Sequence, residues 1–326
     1  MPGPRPRGAG PADLKQGPWS ASHWTGAPTS CQLAAVSSSS SQSSIDPDEL
    51  ARRHYENFPV GSFLLPRKKR VHVHRLYAFA RTADDIADEL RDRDALAAWR
   101  TATELALEGA SPPRVPQLLS DLASTVKTEG LDSGLLFRLL DAFDRDLVQD
   151  RYRDREDLAS YCRDSADPVG RLMLQLFDCA TEDNELLSDS ICTGLQVLNH
   201  AQDVRKDWKE RQRIYLPATM LAAHEVTIED FDRDVTSPGL RACVGEFADW
   251  ARAGLREGWS LPRRIGGRFG LELASIVSAA SIVLERLDAC DYDVFTHRPR
   301  LHKRDFPKVL ARALRRKAPT VLLRKS

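Results

Sequence analysis

The sequence predicts an all-α protein that forms a single helical bundle. After residue 45, apolar residues recur with helical spacing, for example over residues 94–108, 116–128 and 133–149. No segment alternates apolar and polar residues as a half-buried strand would. Two segments, Tyr77–Glu89 and Gln196–Trp208, carry carboxylates at the margin of an apolar helical stripe. We therefore expect two acidic helices that face each other in the core.

The later acidic segment carries side-chain oxygens one helical turn apart. At about 100° per residue, these oxygens form one stripe, made of Gln196, Asn199, Asp203 and Asp207. Apolar residues lie on the flank beside this stripe, so the carboxylates border the core-facing side of the helix. Oxygen ligands spaced in this way suit a hard cation such as Mg²⁺. Taken alone, the stripe is explained equally well by an exposed acidic helix face.

The earlier acidic segment repeats this pattern. Its polar stripe consists of Tyr77, Arg81, Asp84 and Asp88, and an apolar stripe runs beside it from Leu76 to Leu90. Two such helices set opposite one another would hold a cluster of divalent ions between them. The second stripe therefore favours a metal site over a solvated acidic face.

Composition limits the class of protein. The chain has 326 residues, is 42% hydrophobic and has a formal net charge of zero, which suffices for one large domain or two small ones. The neutral balance argues against nucleic acid as the main partner. Six cysteines without a CxxC spacing indicate neither a zinc site nor a disulfide framework. This pattern is consistent with a reducing, cytoplasmic location.

The first 45 residues differ from the rest. A Pro/Gly-rich start and the serine run at 37–44 cannot bury enough apolar surface to offset chain entropy. No apolar run is long enough for a signal peptide. We expect residues 1–45 to be a disordered tail, with a mis-assigned start codon as the alternative, and residues 46–326 to form one all-α domain. Asp46 and Pro47 supply the first helix-start signal.

Two later segments suggest phosphate binding and cavity lining. Arg213 follows the second acidic helix and is a candidate phosphate contact, because a guanidinium group binds two oxygens at once. The segment Leu271–Leu284 has an uncharged run of about a dozen residues, which is shorter than the roughly 20 residues that span a bilayer. It is interpreted as a cavity wall or as ordinary core packing.

The C-terminal segment is strongly basic. Residues 298–326 contain eleven Lys or Arg and a single acid, Asp305. Residues 305–317 predict a helix with Phe306, Val309, Leu310 and Ala313 or Leu314 near one side, and basic residues mostly on the other. This helix predicts reversible association with the anionic inner face of the cell membrane. The alternative is that it only packs on the domain and that its charges are solvated.

Several blocks of sequence occur in an order that is typical of one family. FARTADDIAD and NHAQDVRKD carry the two acidic patterns, and LLPRKKRVHVHRLYAFAR, YCRDSADPVG, RIYLP and YDVF accompany them. From about residue 50 to 315 the chain thus resembles the squalene/phytoene synthase family. The resemblance implies the isoprenoid synthase fold with a central cavity, in which three Mg²⁺ ions bind the diphosphate of a prenyl substrate. It implies no NADPH, and no G-x-G-x-x-G nucleotide motif is present.

The resemblance also assigns roles to individual positions. Its metal ligands correspond to Asp84, Asp88, Asn199, Asp203 and Asp207, and the four aspartates also count as catalytic. The family's substrate-binding residues near the diphosphate correspond to Arg70, Tyr77, Arg81 and Gln196. A tyrosine implicated in the family's chemistry corresponds to Tyr161, and a C-terminal phosphate contact corresponds to Tyr292. The sequence departs from the family pattern at Asn57, which must replace a hydroxyl group in substrate binding, and at His200, where an apolar residue is usual.

Within the family, YENFPV, FARTADDIADE and YCRDSADPVG are most similar to the hydroxysqualene synthase branch of bacterial hopanoid pathways. This similarity implies conversion of presqualene diphosphate and water to hydroxysqualene and diphosphate. One alternative is that the same fold joins two farnesyl diphosphates into presqualene diphosphate, squalene or a carotenoid precursor. Another is a non-catalytic assembly factor that contacts neighbouring pathway enzymes. A carboxylate-bridged di-metal bundle is disfavoured, because it needs Glu and Glu-x-x-His pairs.

Overall fold

The computed structural model describes residues 64–315 and 317–324. Within these ranges the chain forms helices joined by loops and contains no β-strand, and one isolated bridge joins Arg151 to Ile214. The all-α prediction is therefore confirmed. The predicted tail at 1–45 and the candidate residue Asn57 lie outside the described residues.

The helices are defined here in chain order. They are α1 (Arg67–Asp85), α2 (Arg93–Leu107), α3 (Gln117–Glu129), α4 (Gly134–Asp146), α5 (Arg155–Ser165), α6 (Asp167–Leu176), α7 (Glu182–Arg211), α8 (Ala218–Ala223), α9 (Ile228–Asp232), α10 (Pro238–Gly258), α11 (Leu261–Ile265), α12 (Gly267–Ala289) and α13 (Phe306–Arg315). A π-helical turn, Ile86–Leu90, continues α1, and short 3₁₀ turns lie at Lys303–Asp305 and Thr320–Leu323.

Local sequence signals explain several helix ends. Asp92 precedes α2 and accepts a hydrogen bond from the backbone N–H of Ala95 at 2.9 Å, which satisfies a donor that the helix itself leaves unpaired. Ser237 caps α10 in the same way, and Pro238 occupies its first turn, where no backbone N–H is needed. Helix α3 ends at Gly130, whose φ of 64° lies in the left-handed region that glycine adopts readily.

Two apolar clusters form the interior. One joins α1, α2, α3, α4 and α6 and includes the fully buried Phe79, Leu136 and Leu140. The other surrounds α7, α10 and α12 and includes Val244 and Phe247. The two acidic segments lie on α1 with its π-helical turn and on α7, so each motif belongs to a different cluster.

Glycines set the close approach of α7 and α10. A Cβ atom on Gly254 would lie 2.7 Å from the carbonyl oxygen of Ser190, and one on Gly258 would lie 2.6 Å from that of Leu187. The pairing of later residues on α10 with earlier residues on α7 shows that the helices are antiparallel. No side chain larger than hydrogen fits at these points without movement. The glycines therefore set the distance between α10 and α7, the helix that carries the second acidic motif.

Helix α12 lies in the core. Among the described helices, it alone is long and apolar enough to cross a membrane by length and composition. Its uncharged run by itself is too short to span a bilayer. However, 67% of its most apolar window is buried inside the protein, and the core helix of a globular protein commonly passes the same test. Its burial agrees with the interpretation of Leu271–Leu284 as core packing or a cavity wall.

The contact between α7 and α10 gives a stability prediction. Replacing Gly254 with Ala forces a Cβ atom onto a backbone carbonyl, so we expect the free energy of unfolding to fall by about 1–3 kcal/mol. Gly134→Ala is the matched control, because the nearest atoms to its new Cβ all belong to the exposed side chain of Asp132. Urea titrations measure both changes. Equal unfolding midpoints for the two variants and the wild type would contradict the tight contact.

Candidate active site

Helix α7 presents the second row of oxygen donors as the periodicity predicts. Asn199, Asp203 and Asp207 are partly buried and lie one turn apart. The residues on the core side of the same helix are almost completely buried, namely Val197, Leu198, Ala201, Val204 and Trp208. The carboxylates therefore lie at the boundary of the apolar cluster, as expected.

The first acidic motif lies on α1 and its π-helical continuation. Arg81 binds Asp84 through Nη1 at 2.8 Å and Asp85 through Nη2 at 2.5 Å. Asp88 lies in the π-helical turn, which ends at Arg91 in the left-handed conformation with a φ of 49°. The sequence predicts one continuous α-helix here, and the π-helical turn is a difference. Such single turns are frequent at functional sites because they change the direction in which side chains point.

Arginines at the end of α7 and just after it bring the two motifs together. Arg211 lies 3.3 Å from Asp88 through Nη2 and 3.9 Å from Asp207 through Nη1. Arg213 lies 3.2 Å from the other carboxylate oxygen of Asp88. One carboxylate from the first motif and one from the second are thus held by the same guanidinium group, and the expected facing arrangement is observed.

Burial and like charge make ionisation of this cluster costly. Burial, followed by the negative charge of Asp88, raises the pKa of Asp84 to about 6. Burial, followed by the charge of Asp203, raises the pKa of Asp207 to about 7. The neighbouring arginines oppose both shifts without cancelling them. A cation placed between the motifs would therefore favour the ionised carboxylates.

The loop after α12 reaches the second motif. Arg298 binds Asp203 through two parallel hydrogen bonds of 2.8 and 3.1 Å, a geometry that makes such pairs strong. The neighbouring Pro299 accepts a hydrogen bond from the side chain of Gln202. Sequence analysis missed Arg298, because nothing in the basic C-terminal segment distinguishes it from the surrounding lysines and arginines.

The two motifs offer the kind of oxygen ligands that Mg²⁺ prefers. The side chains Asp84, Asp88, Asn199, Asp203 and Asp207 offer only hard oxygen donors. In the part of the chain that the structure describes, no three His, Cys, Asp or Glu side chains are already gathered as a metal centre. Mg²⁺ is usually held by one or two carboxylates together with water and substrate phosphate. The residues therefore fit Mg²⁺ ions that bind together with a diphosphate.

A buried carboxylate lies behind the motifs. Asp146, at the end of α4, is only 6% exposed and accepts a hydrogen bond of 2.8 Å from the hydroxyl of Tyr161. Arg213 donates to the backbone oxygen of Asp146 and to the hydroxyl of Tyr215, each at 2.8 Å. Burial raises the pKa of Asp146 to about 7, although Arg213 opposes the shift. This places Arg213 in the interior, where it holds Asp88 and Asp146.

Asp146 was also missed by sequence analysis, but the sequence contains a signal for it. It follows Leu135, Leu139 and Ala142 at helical spacing, so it occupies the next position on the apolar face of α4. A carboxylate on an otherwise apolar face is rarely buried without a partner. That partner, Arg213, is supplied by a distant part of the chain.

Aromatic rings surround Tyr161. Tyr152 lies 5.5 Å from Tyr161 and 5.5 Å from Tyr215 between ring centroids, and His200 stacks on Tyr215 at 3.5 Å. Burial, followed by the charge of Arg213, lowers the pKa of His200 to about 3, so the imidazole is neutral at physiological pH. Within the described residues, His200 Nε2 and the hydroxyl of Tyr152 are buried without a hydrogen-bond partner.

The remaining residues named from the sequence are distributed around this centre. Burial raises the pKa of Tyr77, the charge of Arg81 opposes this rise, and the charge of Asp84 adds to it. Tyr77 therefore lies beside the first motif. Gln196 is partly buried on α7. Arg70 donates to the backbone oxygen of Leu65 at 3.1 Å.

Tyr292 has a different environment. Its hydroxyl donates to Asp288 at 2.9 Å, and its ring lies 3.1 Å from the position that a Cβ on Gly245 would occupy. Arg252 also binds Asp288, at 2.7 Å. These contacts place Tyr292 in a group with α10 and the end of α12, and the described contacts do not join it to either acidic motif. Its expected role as a phosphate contact stays a prediction.

Comparison with known proteins agrees with this geometry. The family model described as squalene/phytoene synthase matches residues 51–305. A hydroxysqualene synthase from Rhodopseudomonas palustris is 35% identical over 240 residues, which cover 72% of this chain and 80% of that protein. A hydroxysqualene synthase from Zymomonas mobilis is 36% identical over 244 residues, with the same coverage of 72% and 80%.

A solved structure supports the same relationship. The crystal structure of squalene synthase HpnC from Alicyclobacillus acidocaldarius superposes with a TM-score of 0.70 at 36% identity, and the match covers 76% of this chain and 93% of that one. The expected isoprenoid synthase fold is thereby confirmed. From its sequence match, its fold and the two acidic motifs that face each other, the chain belongs to the squalene/phytoene synthase family.

Proposed function

We propose that this protein is a hydroxysqualene synthase, which converts presqualene diphosphate and water to hydroxysqualene and diphosphate. The family relationship supports an enzyme that acts on a prenyl diphosphate. Two relatives of comparable identity are both named hydroxysqualene synthase, which favours this reaction. The observation that carries the proposal is the bridge from Asp88 through Arg211 to Asp207, because it holds the two acidic motifs within reach of a single diphosphate.

The residues that would bind Mg²⁺ are Asp84, Asp88, Asn199, Asp203 and Asp207. When bound, Mg²⁺ ions would neutralise negative charge that develops on the leaving diphosphate. Arginines contact two of these carboxylates: Arg81 binds Asp84, and Arg298 binds Asp203. Exchange of these contacts for the diphosphate would leave the same guanidinium groups beside the leaving group, where positive charge stabilises the transition state.

In the proposed reaction, the bond from carbon to the diphosphate oxygen breaks, and the electron pair leaves with the diphosphate. The resulting cyclopropylcarbinyl cation rearranges, one water molecule forms the new carbon–oxygen bond, and a proton is released. Exclusion of other water prevents early capture of the cation. The neutral rings of Tyr152, Tyr161, Tyr215 and His200 form a dry wall behind the carboxylates, and aromatic faces stabilise nearby cations.

Condensation of two farnesyl diphosphates is the second candidate function. It is favoured by the structural match to a protein named squalene synthase, and it requires the same diphosphate-binding residues. A non-catalytic role is disfavoured, since all five oxygen donors are present.

Incubation of the purified full chain with each substrate distinguishes the candidates. With Mg²⁺ and presqualene diphosphate we expect hydroxysqualene and diphosphate, without added NADPH. With farnesyl diphosphate alone we expect no presqualene diphosphate. Product analysis by mass spectrometry measures both. Condensation of farnesyl diphosphate would support the second candidate, and full activity in excess EDTA would refute the Mg²⁺ requirement.

The carboxylate of Asp203 should matter for turnover rather than for folding. Asp203→Asn keeps the shape of the side chain but removes its negative charge. We expect kcat to fall roughly 100-fold, as it does when an active site loses one group that stabilises the transition state. Its partly exposed contact with Arg298 contributes at most about 1 kcal/mol to stability. Asp183→Asn is the control, because that carboxylate lies on the first turn of the same helix and is mostly exposed. Equal kcat values for the two variants would contradict this role.

We assign Asp146 a positioning role through Arg213. Arg213 is 4% exposed and contacts the carboxylates of Asp88 at 3.2 Å and Asp146 at 3.7 Å. Removing a partner from a buried charge is strongly destabilising. The Asp146–Arg213 contact thus fixes the guanidinium group that orients Asp88 in the first motif.

Asp146 should make the ligand-free protein less stable as the pH rises. Its pKa is about 7 in the folded protein against an ordinary value of 3.8, so the folded state binds the extra proton below pH 7 and loses it above. By linkage, its contribution to the free energy of unfolding falls by on the order of 1 kcal/mol between pH 6 and pH 8. Urea titrations should show that Asp146→Asn removes this part of the pH dependence, whereas the exposed Asp94→Asn keeps it. An unchanged slope in Asp146→Asn would be the contrary result.

A further inference from the structure

Helix α13 has one broad apolar side, and only one edge of that side is buried. Val309 and Ala313 are buried, and Val309 packs against Ala279 and Ile282 of α12. Phe306, Leu310 and Leu314 point outward and are 51%, 44% and 60% exposed. The sequence predicted one apolar side that combined Val309 with Leu310. The structure keeps this single apolar side, buries the edge with Val309 and Ala313, and leaves the edge with Phe306, Leu310 and Leu314 outward.

The outward residues form a continuous ridge. Phe306, Leu310 and Leu314 are spaced by four residues, so they lie along one line about 12 Å long. Pro307 and Ala311 are also exposed beside them. A helix that only covers a globular core normally presents polar side chains to solvent. A row of three large apolar side chains on the outward face therefore indicates a surface that binds something apolar. We call it the α13 ridge.

Among the described residues from 302 to 317, the exposed charged side chains are all basic, while Glu285 of α12 lies beside Lys308. The exposed basic side chains of this segment are Lys303, Arg304, Lys308, Arg315 and Lys317. Asp305 is the only acid in residues 302–324, and it is buried and bound by Arg286 at 2.8 Å. The whole chain has equal numbers of acidic and basic residues, so this positive surface is a local concentration of charge.

Two basic side chains of α13 bind an acidic residue of the protein itself. Arg312 lies 2.7 Å and Lys308 3.1 Å from the carboxylate of Glu285 on α12. These contacts fasten α13 to the domain beside the buried Val309 and Ala313. The ridge is thus held rigidly outward, and the cations beyond this pair are the ones that a partner would meet.

We propose that the α13 ridge docks the protein on an anionic lipid surface. Phe306, Leu310 and Leu314 insert at the boundary between headgroups and acyl chains, and the surrounding lysines and arginines contact lipid phosphates. An interfacial helix combines these two features, an apolar face and basic residues around it. A second copy of the chain fits poorly, because it would bring one positive segment against another. Spanning is excluded for α13, whose ten residues are too few.

The α13 ridge lies on a different element from both acidic motifs. Substitutions of its outward side chains therefore remove lipid contacts without touching the carboxylates or their arginines. Membrane binding and turnover of a soluble substrate analogue can thus be tested separately, and docking stands even if the proposed reaction fails.

Co-sedimentation of the full chain with lipid vesicles tests the docking. Wild type should bind vesicles of phosphatidylcholine mixed with phosphatidylglycerol at low salt, and binding should fall steeply at about 0.5 M salt because the charges are screened. The variant Phe306→Ser/Leu310→Ser/Leu314→Ser should bind at least about tenfold more weakly, since three apolar side chains no longer insert. The control variant Val169→Ser/Leu186→Ser/Val235→Ser removes three exposed apolar residues elsewhere and should bind as wild type does.

Thermal unfolding of each variant shows that the comparison concerns folded protein. Equal binding by the ridge variant and the wild type would overturn the proposal. So would an absence of wild-type binding to anionic vesicles, which would leave an acidic protein as the occupant of the ridge. Equal binding to pure phosphatidylcholine would overturn the role of the basic residues.

Discussion

The interaction on which the site depends is the burial of Arg213 between two carboxylates. Its guanidinium group contacts Asp88 in the first motif and Asp146 behind it, and it also donates to Tyr215. A buried ion needs partners that satisfy its charge and its hydrogen-bond donors. Since these partners come from the end of α1, the end of α4 and the chain after α7, one side chain fixes the relative positions of three elements. The acidic motifs face each other only when these elements are in register.

The same constraint explains why arginines lie close to the other carboxylates of the site. Burial and mutual repulsion raise the pKa values of Asp84 and Asp207 into the range of about 6 to 7. Arg81, Arg211 and Arg298 supply positive charge that keeps this cluster compatible with the folded state. A negatively charged diphosphate that arrives with divalent cations would exchange partners with this network, because it brings anionic oxygens for the arginines and cations for the carboxylates. In the proposed reaction, the network would thus be replaced by a diphosphate together with its divalent cations.

Sequence periodicity predicted the parts of the site that are set within one helix. Asn199, Asp203 and Asp207 lie where a 3.6-residue repeat places them, because burial of Val197 and Val204 fixes the rotation of α7. Features that depend on contacts between distant segments were not predictable in this way. The bond from Arg298 to Asp203 and the contact of Asp146 with Arg213 each join distant segments, and the π-helical turn at Asp88 interrupts a periodicity that predicts one helix. For helix α13, likewise, only its packing on α12 decides which edge of its apolar side is buried.

The oxygen donors of the second motif lie on a packed helix, whereas an arginine that contacts them comes from a loop. Gly254 and Gly258 bring α10 into close contact with α7 at Ser190 and Leu187, which fixes the N-terminal half of the helix that carries the second motif. By contrast, the side chain that covers Asp203 comes from the loop after α12, and the contact of Arg298 is partly exposed. A rigid helix therefore carries the oxygen donors, while their present partners belong to side chains that can rotate at little cost. In the proposed reaction, this arrangement would keep the donor geometry constant while a diphosphate replaces the arginines, as preorganised stabilisation of a leaving group requires.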